Sequence, residues 1–67
     1  MSFYTNEFKK LQPNHDPRHV EAFIRLEYST LDHMDRETLK NEAGNAAHGI
    51  DYYGVEIAEA LAQSYGL

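Results

Sequence analysis

Apolar residues recur along this chain at helical spacing, most regularly between Asp35 and Tyr53. Leu39, Ala43, Ala46, Ala47, Ile50 and Tyr53 follow the i, i+4, i+7, i+8, i+11, i+14 series of one helical face. Most of them are small, so another helix can come close. Asp35 suits the N-cap, with Met34 and Leu39 placed as a hydrophobic staple, and Gly54 suits a left-handed cap just past the end. Gly44 and Gly49 lie within this helix, each costing about 1 kcal/mol relative to Ala. Both fall on the flanks of the stripe, which predicts close backbone approach by a neighbour. A break near Gly49, giving two shorter helices, is the competing expectation.

A second helix is predicted from Asp16-Pro17 to about Thr30, because Asp16 can cap and Pro17 fits the first helical position. Val20, Phe23, Ile24 and Leu31 share its apolar face. Arg18, Glu21, Arg25 and Ser29 form the face expected to be wet, with Glu21 and Arg25 at a favourable i, i+4 spacing. Glu27 projects between Phe23 and Leu31 on the apolar side, so it must be paired, hydrogen-bonded or at the rim, and His19 and Thr30 are its nearest local partners. The last helix runs from Val55 to about Tyr65. Its stripe is Ile57, Ala58, Leu61, Ala62 and Tyr65, with Glu56, Glu59 and Gln63 facing water and Gly66 ending it.

Ahead of these, Tyr4, Phe8 and Leu11 fit i, i+4, i+7, which predicts a short helix from Ser2 or Thr5 to Leu11. Its aromatics either close the open side of the bundle or form an arm that grips a partner. Gln12-Pro13-Asn14-His15 reads as a turn. No period-two apolar run or hairpin pair signals a strand. The expected fold is all-α: a compact bundle of three main helices near residues 17–30, 36–53 and 55–65, with a short N-terminal helix or arm. The 67 residues predict a single helical domain, with 1–15 as the arm or short helix and 16–67 as the bundle. Its expected core is Val20, Phe23, Ile24, Leu31, Leu39, Ala43, Ala46, Ile50, Ile57, Leu61 and Tyr65.

Composition narrows the function more than it names one. A core this small rarely supplies more than about 3–5 kcal/mol, so a partner is a common support. The absence of Cys removes disulfides, thiolate metal sites and thiol catalysis. No apolar run approaches the length of a membrane span, and the N-terminus lacks the basic start and apolar core of a signal peptide, so the expectation is a cytoplasmic protein that does not enter membranes. The net charge is −5, and residues 41–67 hold Glu42, Asp51, Glu56 and Glu59 with no Lys or Arg. Such a surface repels phosphate, so direct nucleic-acid binding is not expected.

Candidate chemistry is sparse. There is no nucleophile elbow, phosphate-binding glycine loop or HExxH, so no enzymatic activity is expected and no catalytic residue is assigned. His15, His19, His33 and His48, with Asp32, Asp35 and Asp51 near some of them, form no complete zinc spacing, so no metal or other cofactor is expected. A His/carboxylate metal protein nevertheless stands as one alternative function. A helix-turn-helix-like regulator pivoting at Gly54 is another, although its reading helix would carry Glu56 and Glu59 and no cation. The leading expectation is a small acidic helical module that binds another protein, as adaptor or inhibitor, or that self-associates as a homodimer. Phe3, Tyr4, Phe8, Tyr52 and Glu27 are its candidate interface residues, because Tyr and Phe dominate interfaces and Tyr52 points away from the central stripe.

Overall fold

The computed structural model describes residues 3–67, with Phe3 described by its backbone alone. The described residues form four α-helices: α1 (Phe3–Leu11), α2 (Pro17–Glu27), α3 (Arg36–Tyr53) and α4 (Val55–Ser64). A single 3-10 turn, Leu31–His33, joins α2 to α3. There is no strand among the described residues, and the all-α bundle matches the expectation from periodicity. The N-terminal segment is a helix packed on the others. Of its two expected starts, Ser2 lies outside the described residues and Thr5 falls inside the helix.

The helix ends follow local chemistry. The Arg18 amide donates to Asp16 Oδ1 at 2.9 Å, and Pro17 supplies the first helical position. The Thr38 amide donates to Asp35 Oδ1 at 2.7 Å. α2 stops three residues before the expected Thr30, at Glu27, where Tyr28 turns to an extended conformation. Gly54 ends α3 and begins α4 with φ 97° and ψ 158°, a positive-φ conformation outside the left-handed helical basin and nearly confined to glycine. At the C-terminus the Leu67 amide donates to the Ala62 carbonyl and the Gly66 amide to that of Gln63, the Schellman pattern with Gly66 at positive φ.

The long stripe of α3 behaves as its spacing requires. Leu39, Ala43, Ala46, Ala47 and Ile50 are all buried, and the helix runs unbroken through Gly49. Tyr53 is the exception and stands exposed. A Cβ on Gly49 would meet the Phe23 ring at 3.3 Å, so close approach there is real but comes from a side chain. Gly44 has nothing within 4 Å, so no neighbour explains it.

The centre of the bundle is α2, which packs against α1, α3 and α4. This corrects the expectation of one dry and one wet face. Glu21, expected on the wet side, is 0% exposed. α1 covers that flank and drives Phe8 into the core beside Val20, Ile24 and Leu31. Arg25 Nε lies 3.8 Å from Glu21 Oε2, keeping a positive charge beside the buried carboxylate.

α4 is also turned from its expected register. Ala58 and Ala62 are buried, whereas Ile57 is 54% and Tyr65 40% exposed, so neither belongs to the core. Small residues let α4 lie close to α2, and Glu59, expected in water, is drawn half under by partners on α2. Phe23 and Leu61 are half-buried and border the core without closing it. Among the described residues, no helix is long and apolar enough to cross a membrane.

Candidate functional site

The turn of α4 away from the core leaves large apolar side chains in the open. Phe23, Leu26 and Glu27 at the end of α2, Tyr53 at the end of α3, and Ile57 and Leu61 on α4 line a cleft of about 490 Å³. Leu26 is 62% exposed although the buried core residue Ile24 lies two positions before it. The Phe23 and Tyr53 rings stack, with centroids 6.1 Å apart and planes at 21°. Tyr52, 76% exposed, sets its edge against Tyr53 at 4.9 Å.

Glu27 gives this cleft its charged margin. The adjacent Glu42 holds Glu27 above the usual carboxylate range, through a hydrogen bond open only to a protonated carboxyl and through like-charge repulsion. The Tyr28 hydroxyl donates to Glu42 Oε1 at 2.9 Å, while Glu42 Oε2 is buried with no hydrogen-bond partner among the described residues. Neither His19 nor Thr30, the expected local helpers, bonds Glu27; Glu27 stands at the rim. One carboxylate, Glu27, therefore stands on the lining of an apolar trough, with a second, Glu42, beside it.

The candidate interface residues separate into two groups. Glu27 lies in the cleft, and Tyr52 adjoins it through Tyr53. Phe8 is wholly buried and so is closed to a partner on this fold; this corrects its reading as an interface residue, and the cause is the docking of α1 on α2. Tyr4 lies away from the cleft, half-buried, its hydroxyl donating to the Asp32 carbonyl at 3.0 Å. It borders a smaller hollow of about 190 Å³ with Glu7, Met34, Arg36 and Leu39. The Phe3 side chain lies outside the described residues. The cleft residues Leu26, Tyr53, Ile57 and Leu61 did not stand out as a site in the sequence. Their signal was an excess: Tyr53, Ile57 and Leu61 continue at i, i+4, i+8 across Gly54, and α4 bears apolar residues on more sides than one packed face needs.

A polar cluster sits at the opposite corner, where α2 begins. His19 Nε2 donates to Glu59 Oε2 at 2.6 Å and lies 3.8 Å from Asp16 Oδ2. Arg18 Nη2 donates to Asp16 Oδ2 at 3.0 Å and to Glu59 Oε2 at 3.2 Å. The His19 bond, with the Arg18 charge, holds Glu59 below its ordinary range, and bonds from Arg18 do the same for Asp16. One ligand atom from each of Asp16, His19 and Glu59 lies within 4.8 Å of the other two, a cation-sized arrangement. Arg18 already satisfies both carboxylates, so the cluster works at once as an ion-pair clamp fixing α4 to α2. Elsewhere His15 Nε2 donates to Asp51 Oδ1 at 3.1 Å, tying the α1–α2 turn to α3.

No protein-family model, curated protein or solved structure matches this chain.

Proposed function

We propose that the protein is a small helical interaction module, an adaptor or inhibitor of the cytoplasm, which binds another protein through the apolar cleft between α2 and the α3–α4 corner. The observation that carries this reading is the grouping of Leu26, Tyr52, Tyr53 and Ile57, all exposed, at one corner of a fold whose entire accessible area is 4493 Å². Exposed apolar groups scattered singly need no explanation, whereas a contiguous set rimmed by charge marks a contact surface. Tyr and Phe add large contact area at low conformational cost. The acidic balance of residues 41–67 favours a protein partner over nucleic acid or an anionic membrane, and α4 offers Glu56 where a DNA-reading helix would need cations.

Affinity capture from the source lysate tests it, with wild type beside Ile57→Asp and the remote surface variant Asn45→Ala. The expected result is a protein retained by wild type and Asn45→Ala and lost with Ile57→Asp, whose helical spectrum stays unchanged. Identical retention by all three would remove the cleft from consideration.

A second reading follows from the Asp16, His19 and Glu59 donors, which suit a borderline divalent cation. Zinc that raises the melting temperature of wild type but not of His19→Gln supports it, since a ligand of the native state stabilises by mass action. An unmoved melting temperature rejects it.

A further inference from the structure

The cleft has a shape and a charge, and together they select an occupant. Its walls are helical: Phe23, Leu26 and Glu27 on α2 face Ile57 and Leu61 on α4, with Tyr53 closing one end. A trough between two helices takes the side-chain ridge of a third, as in any helical bundle. The α2 wall ends in Glu27 with Glu42 beside it, and Glu56 stands exposed next to Ile57. Compensating cations are scarce nearby. Residues 41–67 contain no Lys or Arg, and Arg25 on α2 is turned to Glu21. A second copy of the chain would bring its own Glu27 and a net charge of −5 to this margin.

Resting on the interaction reading above, we infer that the cleft receives an amphipathic helix of a partner protein, whose apolar anchors enter between α2 and α4 and whose Lys or Arg meets the exposed Glu27 carboxylate, beside Glu42. A cation there stands beside the exposed Glu27 and offsets the repulsion between it and Glu42. The anchors supply affinity by leaving water, and the cation supplies orientation and choice of partner.

The test uses the full chain and a synthetic helical peptide with Leu at i, i+3, i+4 and i+7 and Lys on both flanks. Three controls carry Glu for Lys, Gln for Lys, or the same residues with the Leu positions scrambled. Amide chemical shifts locate binding and titration calorimetry measures it. The lysine peptide is expected to move the resonances of Phe23, Leu26, Tyr53, Ile57 and Leu61 and to bind about tenfold or more tighter than the glutamate peptide. Glu27→Gln combined with Glu42→Gln removes most of that difference, and Ile57→Asp abolishes binding of every version.

Equal affinity for the lysine, glutamine and glutamate peptides overturns the cationic contact. Equal affinity for the scrambled peptide overturns the helical one. Absence of shifts at the cleft with the lysine peptide overturns the helical occupant, even where lysate capture still separates wild type from Ile57→Asp and the interaction reading stands. A concentration-dependent dimer that Ile57→Asp dissolves would assign the cleft to a second copy and overturn the inference in that direction.

Discussion

Gly44 and Gly49 have the same weak helix propensity and different surroundings. A methyl on Gly44 enters open space, so Gly44→Ala is expected to stabilise by about 0.5–1 kcal/mol, the ordinary gain for filling an exposed helix position. At Gly49 the same methyl stands 3.3 Å from the Phe23 ring, which forms one wall of the cleft, so Gly49→Ala should fall short of that gain or lose stability. Urea midpoints of the two variants check this, and a Gly49→Ala protein at least as stable as Gly44→Ala would mean that the ring yields freely. Glu21 and Glu59 teach a related lesson. Both sit at positions that a helical wheel assigns to water, and neither is left there: Glu21 is buried, with Arg25 of its own helix 3.8 Å away, and Glu59 is half-buried where His19 and Arg18 of α2 bond it. Sequence spacing finds the apolar stripe, but it does not show which polar flank a neighbour will cover.

The caps are legible at the scale of single elements. Asp16-Pro17, Asp35 and Gly54 mark the starts and the junction from local chemistry alone. Asp16→Ala is expected to cost about 1 kcal/mol, or about 4–8 °C in Tm for a chain of this size, and more where the Arg18 bond is also lost. The clamp and caps carry a sign in pH. Bonds from Arg18, His19 and the Thr38 amide lower Asp16, Glu59 and Asp35 respectively. Their stabilisation is complete above the ordinary carboxylate range, near about 4, and is lost as pH falls through the lowered values in the folded state. Glu27 runs the other way. Its raised value means that the folded protein loses stability as pH rises through it, and Glu27→Gln removes that loss. Thermal melts between acid and neutral pH should therefore show a steep acid limb that Asp16→Asn makes shallower. An unchanged limb in Asp16→Asn would show that the cap and clamp do not set it.

At the scale of the whole molecule, α1 is part of the fold. Phe8 is 0% exposed and shares the core with Val20, Ile24, Leu31 and Leu39. Truncating such a ring costs about 3–5 kcal/mol, as much as a core this small usually supplies in total. Phe8→Ala is thus expected to abolish the cooperative thermal transition by circular dichroism, whereas Ile57→Asp at the open cleft should change stability by no more than about 0.5 kcal/mol. If Phe8→Ala melts like wild type, α1 is an appendage after all. The contrast separates two apolar residues that periodicity treats alike: Phe8, read as an interface residue, holds the bundle together, and Ile57, read as core, stands at its surface. With α1 seated on one side of α2 and α4 on another, Leu26, Tyr53 and Ile57 stay exposed among the described residues.

The sequence by itself determined the helices, their caps and the buried stripe of α3, because these depend on spacing and on contacts within a few residues. Tertiary structure decided that α2 is the centre, that α4 turns its alanines inward, and that Glu27 joins residues from three helices at one cleft, with Tyr52 beside it. Those outcomes depend on which side of each helix its neighbours occupy. That choice is made by the competition of all four helices for the same few buried faces.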